Sequence, residues 1–227
     1  MGLVLGTLRL PAMLLASGDA SAAAGTNIAI SAAAAASGGL RHAREGRFDR
    51  RVALWMIPPS MAGAVVGALT GHLVPTGLLL AGVAIVLAWN GFDLLVTPFR
   101  ARPRDEPNVV SAAAFGFVIG VIGGALGVIL GTLRMPALLR SVGLSARTAV
   151  GTNLVVGFFL GLAGFVAHAF RLEVEWDLLA VGLAGALPGA WLGARLTGRI
   201  PEPVLRRAIG AALLVIAAAF ALEALLR

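Results

Sequence analysis

The chain of 227 residues contains no cysteine. That excludes disulfides, a thiol nucleophile and thiolate metal ligands. Tyrosine is also absent, histidine occurs three times, and all 18 basic residues are arginine. Three scattered imidazoles without cysteine and with few carboxylates leave no basis for a metal site, and no cofactor is expected. Charge itself is scarce: 13% of residues are charged and 59% are hydrophobic. The mean hydropathy is +0.92. A soluble domain of this length could not hide so much apolar surface, so a soluble protein is excluded. No GxxxxGK[ST] phosphate loop occurs, so the chain has no ATPase of its own. The formal charge of +7 comes from arginines in short loops between apolar spans. It reads as membrane topology, not as nucleic-acid binding.

What is present is a repeat. Gly6-Thr7-Leu8-Arg9-Leu10-Pro11-Ala12 returns as Gly131-Thr132-Leu133-Arg134-Met135-Pro136-Ala137, and Gly25-Thr26-Asn27 returns as Gly151-Thr152-Asn153. The register continues through His42 and His168, Gly63-Ala64 and Gly189-Ala190, Gly67-Ala68 and Gly193-Ala194, and Pro75 and Pro201. Apolar segments fall at roughly 1–17, 20–40, 52–74, 76–99, 109–139, 148–170, 177–198 and 203–226, and several are long enough to cross a bilayer. These features predict an all-α polytopic membrane protein with about 7–8 hydrophobic helices in two homologous halves. The halves are 1–99 and 109–227, joined by a polar linker at 100–108. The second copy has an apolar run, Ser111 to Leu130, upstream of its motif, and the first copy begins at Met1, five residues before Gly6. The first repeat therefore reads as truncated at its N-terminus. Its opening run lacks the basic start of a signal peptide.

The arginines constrain topology. The loop from Arg41 to Arg51 holds five of them, and the linker holds Arg100, Arg102 and Arg104. Both should be cytoplasmic. If 109–139 simply crossed, Arg140, Arg147, Arg199, Arg206 and Arg207 would lie outside and the acidic loop Arg171 to Asp177 inside. If it turns back, those arginines move inside. Inverted repeats, each with a broken or re-entrant glycine-rich segment, fit the positive-inside rule better.

The chemistry concentrates at the repeated motif. Gly116, Gly120, Gly123, Gly124, Gly127 and Gly131 make a bare helix face, which another helix or a ligand can approach closely. Helix breaks are expected at Gly6 and Pro11 and again at Gly131 and Pro136, because proline removes a backbone donor. A broken helix exposes N–H groups and a positive dipole end suited to an anion. Arg9 and Arg134 occupy equivalent positions. An arginine at the bilayer centre costs about 2.5–3.5 kcal/mol on insertion scales, so the pair either grips an oxyanion or snorkels to an interface. Thr26, Asn27, Thr152 and Asn153 can coordinate an oxyanion, cap a helix or bond across helices. Asp93 is a proton-relay carboxylate or an interfacial acid paired with Arg100. His42 and His168 sit at span ends, where they could titrate near neutral pH or act as plain polar anchors.

A glycine-rich segment running into Leu-x-x-Pro-Ala-Leu, then Ala-Val-Gly-Thr-Asn-Leu, resembles the TauE/SafE sulfite exporter family of bacterial membrane permeases. Gly131 to Leu154 carries the resemblance best and Gly6 to Ile28 repeats it. The chain departs from the family in having fewer glycines before the Leu-x-x-Pro and asparagine where serine is usual. The resemblance implies a multi-pass protein of the bacterial inner membrane that moves a small anionic solute such as sulfite or an organosulfonate. Arg9, Thr26, Asn27, Arg134, Thr152 and Asn153 are the candidate substrate-binding residues, with Asp93 for proton coupling. The arginines have no counterpart in the family pattern. A non-transporting assembly subunit and an intramembrane enzyme are the alternatives. The second would need a nucleophile with a base at one depth, and none is convincingly placed. The lipid bilayer is a partner on any reading, and a homo-oligomer is left open.

Overall fold

The computed structural model describes residues 20–70, 75–96, 106–126, 131–197 and 199–226, together with Arg9, Met13, Ala16 and Ser17. Among these the chain is helical throughout, with short connections and no strand. The helices are α1 (Ala20–Arg44), α2 (Arg50–Thr70), α3 (Thr76–Val96), α4 (Val109–Leu126), a six-residue α5 (Gly131–Pro136), α6 (Ala146–Phe170), α7 (Trp176–Thr197) and α8 (Glu202–Leu226). A π-helix, Ala137–Val142, follows α5 directly. Among the described residues, three stretches are long and apolar enough to cross a membrane: Ala146–Phe170, Trp176–Leu196 and Pro203–Leu222. The shorter Val109–Gly123 is also apolar. At 1.5 Å per residue, α6 runs about 37 Å, which exceeds the roughly 30 Å hydrocarbon thickness of a bilayer. Large side chains such as Val181, Leu192 and Leu222 stand exposed on these helices, as they must where the solvent is lipid.

The centre of the fold is the α1–α6 pair. Gly38 packs on Leu154 and Gly164 on Ile28, where added methyl carbons would sit 3.2 and 3.1 Å from the leucine and isoleucine side chains. These contacts step in opposite directions along the two helices, so α1 and α6 are antiparallel. They occupy equivalent places in the sequence repeat. The same holds for α3 and α8: Gly77 faces Ala224 and Gly91 faces Gly210. Around the central pair, α1 also packs on α7, α2 packs on α6, and α4 lies along α2.

The segment 109–142 comes back to where it started. The Asn108 backbone N–H donates to the Val142 carbonyl at 3.0 Å, so α4 ascends and the α5–π segment returns. The reversal itself, between Leu126 and Gly131, lies outside the described residues. Pro136 does not end the helix. It keeps helical angles, φ −56 and ψ −43, and the chain continues from Ala137 with the wider π spacing. Proline cannot donate to the carbonyl four residues back, and a change of hydrogen-bond register follows it. Gly143, at φ 87, closes the π-helix with its N–H on the Leu138 carbonyl.

The charges sort by end. Arg47 donates to the Ala194 carbonyl at 3.2 Å and Arg147 to the Ile200 carbonyl at 2.8 Å. The loop after α1, the start of α6 and the loop after α7 therefore meet, bringing Arg41, Arg44, Arg47, Arg50, Arg51, Arg147, Arg195 and Arg199 to one end. At the opposite end lie His168, Glu173 and Glu175, with the start of α1.

Candidate functional site

Each Gly-Thr-Asn motif sits two turns inside its helix, and each threonine hydroxyl reaches across to the other half. Thr26 Oγ1 accepts from the Glu175 N–H at 2.8 Å. Thr152 Oγ1 accepts from the Asp49 N–H at 2.9 Å. Both threonines are fully buried. Neither caps its own helix; the α6 cap is Ser145, whose side chain accepts from the Thr148 N–H. The glycines preceding them make the crossing close enough. A methyl group on Gly151 would collide with the Arg47 carbonyl and come within 3.0 Å of the His42 Cβ. One on Gly25 would collide with the Glu173 carbonyl and come within 2.9 Å of the His168 Cβ. The two crossings are reciprocal, and they knit each half onto the loop of the other.

The asparagines differ. Arg9 places its Nε on Asn27 Oδ1 at 3.0 Å and its Nη2 on the Asn27 carbonyl at 3.1 Å and on Ser31 Oγ at 2.9 Å. Asn153 donates through Nδ2 to the Gly131 carbonyl at 2.7 Å, which holds the start of α5 against α6. Its Oδ1 is buried with no partner among the described residues. Arg134, one turn along from Gly131, is 0% exposed, and none of its three guanidinium nitrogens has a partner among the described residues. A buried charge without a partner is costly, by several kcal/mol even after relaxation. The repeat thus carries one arginine–asparagine grip made and its equivalent unmade.

The six predicted binding residues form two groups. Thr26, Asn27 and Arg9 lie toward the acidic end. Thr152, Asn153 and Arg134 lie toward the arginine-rich end. Gly39 packs on the Leu154 backbone, so Asn153 is level with a point about twelve residues beyond Asn27, about 18 Å along the helix. Gly131 is buried and Pro136 continues the helix. Gly6 and Pro11 lie outside the described residues. Asp93 belongs to the last turn of α3, and its side chain is outside the described set.

A cavity of about 660 Å³ opens between α3, α4 and the α5–π segment. Trp89, Phe115, Ile119 and Leu133 are among its walls, and Asn90, Arg140 and Ser141 supply its polar atoms. Sequence reading treated Arg140 as a loop residue that only reports topology. The spacing Leu133, Pro136–Ala137, Arg140–Ser141 is one helix face, and that periodicity was the available signal.

The sulfite exporter TauE/SafE family matches residues 1–220. A probable membrane transporter protein of Bacillus subtilis (strain 168), YdhB, is 28% identical over 193 residues, covering 82% of this chain and 79% of that protein. A probable membrane transporter protein of Xylella fastidiosa (strain 9a5c) is 26% identical over 204 residues, covering 87% of this chain and 77% of its own length. One from Haemophilus influenzae (strain ATCC 51907 / DSM 11121 / KW20 / Rd) is 23% identical over 195 residues, 84% of this chain and 76% of that protein. No solved structure matches the chain. The family and these relatives are membrane transporters and not enzymes, which sets the intramembrane-enzyme alternative aside. By a match that spans nearly its whole length, the chain belongs to the TauE/SafE sulfite exporter family of membrane transport proteins.

Proposed function

We propose that this chain is a secondary transporter for small anions such as sulfite or organosulfonates in the bacterial inner membrane. Its halves, 1–99 and 109–227 around the linker 100–108, are read as inverted repeats that together supply seven to eight membrane helices. Three features support that reading. Equivalent helices are antiparallel in both the α1–α6 and α3–α8 pairs. The 109–142 segment returns to its own starting level. Eight arginines of the loops and helix ends gather at one end, against Arg171 at the other, as the positive-inside rule requires of a cytoplasmic face.

The observation that carries the site is Arg134, a fully buried guanidinium without a partner among the described residues, one turn from the Gly131 carbonyl that Asn153 holds. A desolvated anion would supply the missing charge and acceptors, and guanidinium suits an oxyanion. In the first half, Arg9 on Asn27 and Ser31 is the same pair with the arginine resting on protein groups. Thr26 and Thr152 position these grips by tying each motif to the opposite loop. Asp93 is the proposed proton-coupling carboxylate. Sulfite flux in proteoliposomes under a proton gradient tests the reading. Charge-assisted hydrogen bonds contribute about 1.5–3 kcal/mol, so Arg134→Gln should cut apparent affinity roughly ten- to a hundredfold. Unchanged flux in Arg134→Gln would remove it from the site. No flux of any small anion by the wild type would favour an assembly subunit.

A further inference from the structure

The cavity beside the π-helix is unlike what an inorganic oxyanion needs. Its volume, about 660 Å³, is in the range of sites for drug-sized ligands, and its walls are overwhelmingly apolar. A four-atom oxyanion would fill a small part of it and leave most of that wall against water. Among the described lining residues, the polar side chains are Asn90, Arg140 and Ser141. Arg140 and Ser141 each follow a cavity-lining residue, Pro136 and Ala137, by four positions, so one side of the returning segment presents them together. Arg134 lies off that side, one position past Leu133. The chamber and the Arg134 pair therefore occupy different faces of one short helical segment.

We infer that this chamber binds an organic anion with an apolar body of six or more carbons, its head on the Arg140–Ser141–Asn90 side and its body against Trp89 and Phe115. The inference rests on the transport reading and extends it: beside the anion grip at Arg134, the chamber takes an amphipathic organic anion on a separate face. The apolar body gives affinity by leaving water, and the arginine selects the charged head. Trp89 and Leu78 line the cavity and are exposed at 73% and 66%, so its rim is open at α3, where a ligand with an apolar body can enter.

Gly82 allows a clean perturbation. It lines the cavity from α3, and nothing lies within 4 Å of where its side chain would start. Gly82→Leu puts a side chain into the chamber from a Cβ that meets no neighbour within 4 Å, and it improves helix propensity. Gly185 on α7 is equally open and lies elsewhere, so Gly185→Leu is the control. The probe is hexanesulfonate, with hexanol as its uncharged counterpart and sulfite as the inorganic one. The readout is tryptophan fluorescence of the purified full chain, with Trp89→Phe to assign the signal, alongside sulfite and hexanesulfonate flux in proteoliposomes.

Hexanesulfonate should quench Trp89 and bind at least tenfold more tightly than sulfite or hexanol. Gly82→Leu should weaken it tenfold or more, and Gly185→Leu should leave it unchanged. Arg140→Gln should bring hexanesulfonate and hexanol to similar affinity. Equal binding to wild type and Gly82→Leu overturns the inference. So does hexanol binding as tightly as hexanesulfonate to the wild type, or a phospholipid retained at one per chain that Gly82→Leu expels while hexanesulfonate has no effect. Gly82-sensitive binding with no flux of either anion would sink the transport reading and leave the chamber standing. Sulfite flux without Gly82-sensitive binding would do the reverse.

Discussion

Replacing Arg134 and Arg9 by methionine should move stability in opposite directions. Arg134 is fully buried and has no partner among the described residues. Its ionised head is held out of water without compensation. Exchanging buried ionic groups for well-packed apolar ones is often neutral or stabilising by about 1–4 kcal/mol. Methionine keeps most of the stem and drops the charge, so Arg134→Met should stabilise within that range. Arg9 is the contrary case. Its guanidinium makes three bonds of 2.9–3.1 Å to Asn27 and Ser31. Hydrogen bonds to charged groups contribute about 1.5–3 kcal/mol each, but one guanidinium shared among three is not additive, so Arg9→Met should cost about 2–4 kcal/mol in all. Thermal unfolding in one detergent resolves this, since 1 kcal/mol corresponds to about 2–4 °C for a chain of this size. Arg134→Met should melt higher than the wild type and lose any upward shift produced by a bound anion. Arg9→Met should melt lower. If Arg134→Met melts several degrees below the wild type, Arg134 holds the fold together and its reading as an anion grip fails.

Two further perturbations probe the architecture. Gly25→Ala and Gly151→Ala should each destabilise by about 1–3 kcal/mol, the usual cost of overpacking, because each new methyl meets a backbone carbonyl that cannot rotate away. Lowered melting temperatures of both purified variants would show it, and wild-type values in either would contradict the close crossing. Single cysteines in this cysteine-free chain, Arg44→Cys and Arg171→Cys, should be labelled by an impermeant maleimide from opposite faces of oriented vesicles. Labelling from one face alone would contradict the antiparallel placement of α1 and α6 across the membrane.

The class of protein was legible in composition, because a chain so apolar has no soluble solution. The all-helical build followed from the same fact, since a bilayer leaves only helices or closed barrels. The arginine pattern favoured a turn-back in 109–139, and Asn108 and Val142 do share a level. The role of the threonines was out of reach. Their partners are backbone N–H groups 149 and 103 residues away, and nothing local in Gly-Thr-Asn separates a crossing bond from a cap or a ligand. Pro136 was read as favouring a break just upstream, and residues 127–130 there lie outside the described residues; at Pro136 itself the missing donor is followed by a π-helix. The cavity was invisible because three segments distant in sequence build it, and Arg140 resembles any other basic residue near a helix end.

Duplication explains the frame but not the asymmetry within it. The reciprocal threonine bonds, the matched glycine crossings and the paired equivalent helices all follow from one ancestral unit meeting its copy. A perfectly symmetric molecule would also have both arginines on their asparagines or neither. Instead Arg9 is engaged, while Arg134 and the Asn153 oxygen have no partner among the described residues. The asymmetric pair costs free energy at the second site that the symmetric arrangement would not. On the transport reading that cost has a use: a solute that satisfies Arg134 binds there in preference to the Arg9 end, where protein groups already compete for the guanidinium. Exchanging which arginine is engaged would move the preferred site about 18 Å along the α1–α6 pair, from the arginine-rich end to the acidic one. If the halves are inverted repeats as proposed, they supply two states of near-equal energy related by their axis, and only a small bias is needed to occupy one of them. On the proposed reading, Arg134, without a partner among the described residues, is where an anion would apply that bias.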